Sequence, residues 1–170
     1  MFIKLIGAVM IVVGCGGYGI LMAVSHRREV TALHHLIQAV EAMVNDLEFR
    51  LTPLPELCRF GGEQVKGPIR ACLLALAKGL DSQISPDVGV CMTLALKSVP
   101  EMPKYTAAQL QALGQTLGRF DLSGQITSLE RCIQACMGQL EVLEYQQSQR
   151  LRSYQTLGFC AGAALAILLF

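Results

Sequence analysis

The sequence predicts an all-α protein: an antiparallel bundle of about six helices, flanked by an N-terminal and a C-terminal transmembrane helix. Three observations carry that prediction. Residues 5–24 form an apolar run of twenty residues without a charge, and residues 157–170 form a second run of fourteen. A helix of twenty residues rises about 30 Å, the hydrocarbon thickness of a bilayer. Between the runs, apolar residues recur at three- and four-residue steps, and no segment of strand length alternates with period two. The division that follows is 1–25 for the first span, 26–155 for a helical domain and 156–170 for the second span.

Each element has its own signal. Leu33, Leu36, Ile37, Val40, Met43, Val44, Leu47 and Leu51 mark an amphipathic helix that continues soon after the first span. Thr52-Pro53 restarts the chain, with Thr52 as N-cap, and opens a second helix through Leu54, Leu57 and Cys58 that Gly61-Gly62 ends. Gly67-Pro68 opens a third, carrying Ile69, Cys72, Leu73, Leu76 and Ala77, with Gly79 as its close. Ser85-Pro86 begins a short helix to about Lys97. Pro100 and Pro103 hold residues 99–103 as a loop. The next helix runs from Thr106 to about Phe120. Asp121 or Ser123 caps a long final helix through Ile126, Leu129, Ile133, Cys136, Met137, Leu140 and Leu143, running nearly unbroken into the second span.

Flanking charge sets orientation. His26, Arg27 and Arg28 follow the first run, Arg150 and Arg152 precede the second, and the far side offers Lys4. Positive residues mark the cytoplasmic side, so the domain is expected to face the cytoplasm with both termini across the membrane. The second run rises only about 21 Å, and residues 154–156 at the interface or a thinned bilayer would complete it. Cys15, Gly19 and Ala23 in the first run, and Gly158, Gly162 and Ala166 in the second, repeat every four residues. Such small-residue stripes let helix backbones pack closely in lipid, as a hairpin or against a partner.

Several function classes find no support. Net charge is +1 without a basic run, so nothing favours nucleic acid. The seven cysteines are scattered and form no C-x-x-C, which reads as buried reduced thiols rather than a disulfide framework. Cys132 and Cys136 lie one turn apart but lack a further metal ligand at motif spacing, and His34-His35 diverge by about 100° on a helix. No Gly-rich phosphate loop, G-x-S-x-G or H-E-x-x-H is present. The chain is expected to be non-enzymatic, with no cofactor and no metal. A competing reading takes Val12-Val13-Gly14-Cys15 as a lipobox, making a lipid-anchored extracytoplasmic binding module processed at Cys15. The apolar run continuing to Val24 argues against it.

Three motifs then resemble a known family. Asp46-Leu47-x-Phe49-x-x-Thr52-Pro53-Leu54 looks like the end of the first domain helix in stage III sporulation protein AB of endospore-forming bacteria. Gly114-x-x-Leu117-Gly118-x-x-Asp121-x-x-x-Gln125 resembles its second signature, and Leu157-Gly158-Phe159-x-Ala161-Gly162 its C-terminal span. The middle departs: members often carry a tryptophan in the central helices, and this chain has none. Pro55 and Gly61-Gly62 also stand where the family suggests a more regular helix.

The resemblance implies a mother-cell membrane protein, on the outer forespore membrane side, in the secretion-like channel apparatus required for late forespore gene expression. It implies a helical domain similar to the cytoplasmic domain of the type II secretion and type IV pilus platform protein. Its partners would be other stage III sporulation proteins, including the operon's cytoplasmic ATPase and channel-ring proteins, with a homo-oligomer as a further expectation. Within the motifs, Thr52, Pro53 and Leu54 are expected to set a helix turn, and Gly114, Gly118 and Asp121 a tight corner. Asp46 and Gln125, which helix geometry does not require, are the candidate partner contacts.

Overall fold

A computed structural model of the chain describes residues 2–83, 85–118 and 121–169, with side chains over 25, 27–83, 85–118 and 121–145. Six helices follow in order: α1 (Phe2–Arg50), α2 (Leu54–Glu63), α3 (Gly67–Asp81), α4 (Val88–Lys97), α5 (Lys104–Thr116) and α6 (Leu122–Leu169). Among the described residues there is no strand. The all-α class and the count of six helices agree with the sequence. So does the continuity of α6 through residues 146–150. α1 likewise runs as one helix from its apolar half into the domain.

The helices alternate in direction between two ends. At one end, Leu54 at the start of α2 comes within 3.6 Å of where a side chain on Gly118 would begin, and Val88 at the start of α4 within 3.1 Å. The α1–α2 turn, the start of α4 and the α5–α6 corner therefore meet. At the other end, Glu29 of α1 holds Thr106 near the start of α5, and the Tyr105 hydroxyl donates to the Ala135 carbonyl of α6 at 3.2 Å. The terminal halves of α1 and α6 leave the domain from this second end. The α2–α3 hairpin reaches halfway, where Gln38 Nε2 donates to the Gln64 carbonyl at 3.2 Å.

The core lies where the helical stripes predict it. Leu33, Leu36, Val40, Met43 and Leu47 of α1 meet Leu57 and Cys58 of α2, the whole Ile69-Cys72-Leu73-Leu76-Ala77 face of α3, and Leu129, Cys136 and Leu140 of α6. Two stripe members point outward instead. Met137 is on the surface of α6, and Leu51 lies just past the end of α1 with φ +52°. A left-handed residue turns the chain back on itself, so its side chain leaves the helical stripe. The left-handed conformation costs a non-glycine residue about 1–2 kcal/mol, part of which glycine would lose again through its freer unfolded chain. Leu51→Gly is therefore expected to raise stability by about 0.5–1 kcal/mol, read as a higher thermal midpoint of the full chain.

Helix ends differ from the sequence pattern in identifiable ways. Thr52 is not the cap of α2. Pro53 takes that place with φ −56° and ψ 147°, and Pro55 sits in the first turn, where its missing amide costs nothing. Gly61-Gly62 does not end α2, which continues to Glu63. Both glycines are buried, because α1 and α3 approach the helix there. A Cβ on Gly61 would stand 2.7 Å from Met43 Cγ and 3.1 Å from the Ala39 carbonyl. Gly79 likewise stays inside α3, which ends at Asp81. α4 starts at Val88 rather than at Pro86, because Asp87 caps it by accepting from the Gly89 amide at 2.9 Å. α5 covers Lys104–Thr116, starting two residues before Thr106 and ending before Phe120.

Among the described residues no helix is long and apolar enough to cross a membrane. The runs 5–24 and 157–170 lie outside the described side chains, as do the small-residue stripes Cys15, Gly19, Ala23 and Gly158, Gly162, Ala166.

Candidate functional site

Local chemistry builds the α5–α6 corner. Leu113 and Leu117 anchor it in the core. Gly118 then adopts φ +77°, a left-handed conformation that a side chain would strain, beside Val88 Cγ2. Three residues on, Asp121 starts α6. Its Oδ1 accepts from the Gly124 amide at 3.2 Å, its Oδ2 accepts from the Ser123 hydroxyl at 2.9 Å, and its carbonyl takes the Gln125 amide at 2.9 Å. Asp121, rather than Ser123, is thus the cap. Gly114 is buried in the last turn of α5, where Met92 of α4 fills the space its side chain would need.

The fold brings this corner to the other motif. Leu54, half-buried, packs beside Gly118, so segments some sixty residues apart in sequence form one surface. A shallow hollow of about 240 Å³ lies there, lined by Pro86, Asp87, Val88, Leu117 and Gly118. Around the same end, Phe49 is 85% exposed, Leu51 66% and Leu122 41%. Exposed apolar side chains also stand elsewhere on the domain, among them Leu94, Met137 and Val142, but Phe49, Leu51 and Leu122 flank the two motifs that meet here, as a contact surface would.

Asp46 stands in the last turn of α1 at this end, and its Oδ2 is buried without a hydrogen-bond partner. A carboxylate oxygen in that state costs on the order of 1–3 kcal/mol, which a donor from outside the domain would recover. Gln125 lies half-buried in the first turn of α6, at the same end. Asp46→Asn keeps the shape and removes the charge, so the isolated chain is expected to lose no stability, as thermal unfolding of the two proteins side by side will show. Any function that depends on an incoming cation would suffer.

Among the described residues the five thiols are all buried, placed for packing. Burial pushes Cys58 and Cys72 up to about 12, so neither is a thiolate at neutral pH. Cys132 and Cys136 are both buried on α6. The hydrogen bond between their sulfurs, and then burial, raise Cys136, while the same bond lowers Cys132. Among the described residues, no three His, Cys, Asp or Glu side chains cluster as a metal site.

Two features of the domain escaped sequence reasoning. Glu29 is a trans-cap: its Oε1 accepts from both the Thr106 amide at 3.1 Å and the Thr106 hydroxyl at 2.8 Å. The separation of 77 residues leaves no local signal for it. The exposure of Leu51 was hidden by its helical spacing, although its place two residues before Pro53 was visible.

Comparison with known proteins agrees with this layout. A curated relative, stage III sporulation protein AB of Bacillus subtilis (strain 168), is 25% identical over 170 residues, covering 98% of this chain and 99% of that protein. A solved structure named Stage III sporulation protein AB (SpoIIIAB) superposes with a TM-score of 0.62 at 20% identity. It covers 72% of this chain and 98% of its own, and shares the fold. The sequence model of the family, stage III sporulation protein AB, matches residues 4–170, and the chain belongs to that family.

Proposed function

We propose that this chain is a non-enzymatic membrane component of the channel apparatus between mother cell and forespore. In this reading it is a platform that couples a cytoplasmic ATPase to membrane ring proteins. Family membership supports a role in sporulation. The observation that carries the finer reading is the corner itself. Two separated motifs converge there, with Phe49, Leu51 and Leu122 exposed and the Asp46 oxygen unpartnered.

The division of labour follows from the polarity of the bundle. Residues 5–24 and 157–170 would cross the mother-cell membrane and meet ring proteins through their small-residue stripes. The domain would face the cytoplasm, with the corner as far from the bilayer as the bundle allows, where an ATPase can reach it. Copies of the chain could assemble side by side through the same spans. An in-frame deletion in the source organism, followed by microscopy of starved cells, tests the reading. Engulfed forespores should shrink or stall while vegetative growth stays normal. Normal, heat-resistant spores would refute it.

A further inference from the structure

We propose that the corner joining α4 to α5, residues 97–104, rests on the membrane surface, where Lys97 and Lys104 contact the phosphates of anionic lipid headgroups. The inference rests on the reading that residues 5–24 cross the bilayer, and it adds a lipid contact made by a part of the chain remote from either span.

α1 is continuous, so Glu29 lies five residues beyond Val24, a rise of about 7.5 Å. Glu29 holds Thr106, two residues after Lys104. The α5 start is thereby fixed near the end of the first apolar run. A headgroup layer extends about 5–7 Å beyond the hydrocarbon in each leaflet, so this corner lies at or next to headgroup depth. Sequence distance from the spans conceals the placement, because residues 97–104 stand near the middle of the chain.

Charge is sorted along the bundle to match. Arg27, Arg28, Lys97 and Lys104 are all exposed at this end, and Arg150 and Arg152 lie in α6 as it approaches the second run. The exposed acids nearby are Glu101, Glu141 and Glu144, while Glu29 is engaged with Thr106. The opposite end carries Asp46, Glu48, Glu56, Asp81, Asp87 and Asp121 against Arg50, Arg59 and Lys78, so its balance is negative. Positive side chains within a Debye length of an anionic surface, about 10 Å at 0.1 M salt, are drawn to it. Pro100 and Glu101 are exposed at the tip of the loop, free of helix packing, and Pro100 and Pro103 keep it stiff. A stiff basic corner fixes the tilt of the domain over the bilayer.

The chain has no tryptophan, so an introduced one reports alone. Full-length Pro100→Trp and, separately, Phe49→Trp are reconstituted in vesicles of phosphatidylcholine with a minority of phosphatidylglycerol, some lipids bearing a quencher near the headgroup. Tryptophan at 100 should be quenched about threefold more strongly than tryptophan at 49. The difference should collapse in phosphatidylcholine alone, at high salt, and in the Lys97→Glu, Lys104→Glu background. Equal quenching at both positions, or quenching indifferent to lipid charge, overturns the proposal. Flotation of the same vesicles after alkaline carbonate separates the two readings. A chain that floats yet shows no such difference refutes the corner contact alone, whereas a chain stripped from the vesicles refutes the membrane-spanning reading and the contact with it.

Discussion

Glu29→Ala is expected to cost the helical domain about 3 kcal/mol, the largest loss of any single substitution considered for this chain. Thr106 is fully buried, and both its amide and its hydroxyl donate to the same carboxylate oxygen. Removing the carboxylate strands two donors of a fully buried residue. It also removes a negative charge from the N-terminus of α5, where the helix dipole favours one. The measurement is hydrogen exchange on the full chain, in which the amides of α5 should lose protection before those of α3. Glu29→Gln keeps an acceptor and should cost about 1 kcal/mol, since a neutral acceptor gives roughly half the strength of a charged one. Adding Thr106→Val to Glu29→Ala should recover part of the loss, because one of the stranded donors is then gone.

Gly114→Ala is expected to destabilise the domain by about 2 kcal/mol, even though alanine is the better helix former by about 1 kcal/mol. The new methyl would lie 2.6 Å from Met92 Cβ and 2.8 Å from its Cγ. Met92 is completely buried, and its Cβ is fixed to the α4 backbone, so relief requires α4 and α5 to separate. Gly138→Ala is the matching control. That glycine is exposed on α6 with open space around its Cβ position, so the propensity gain stands alone and stability should rise by up to about 1 kcal/mol. The thermal midpoints of the two variants should therefore move in opposite directions. Equal shifts would mean that helix propensity, not the α4–α5 contact, governs both sites.

Gly118 and Asp121 were legible because their roles are local: a left-handed turn needs glycine, and a cap needs a short acceptor within three residues of the amide it serves. The α3 face from Ile69 to Ala77 was legible because a buried helix stripe is periodic. Gly61-Gly62 misled because glycine has two uses with one spelling, to stop a helix or to admit a neighbour, and only the position of Met43 tells them apart. The start of α4 was displaced because Ser85-Pro86 and Asp87 are both valid openings, and the Asp87 side chain wins by reaching the Gly89 amide. Glu29 was illegible outright, since its partner is set by tertiary placement alone. The convergence of the Thr52-Pro53-Leu54 turn with Gly118 is of the same kind. Each motif could be read, but their meeting is a property of the bundle's topology.

That meeting is what the account of function depends on. The Asp46 oxygen is kept buried and unpartnered at the very end where apolar side chains stay exposed, an arrangement that costs stability and returns it when a donor docks. The most direct measurement is the heat-resistant spore count of a strain whose single copy of this gene carries Asp46→Asn, with the amount and membrane fraction of the protein followed in parallel. Normal protein and a clear fall in spores are expected, because loss of one charge-assisted contact of about 1.4 kcal/mol weakens docking about tenfold. Full spore counts from that strain would contradict it and move the working surface of this protein away from the corner.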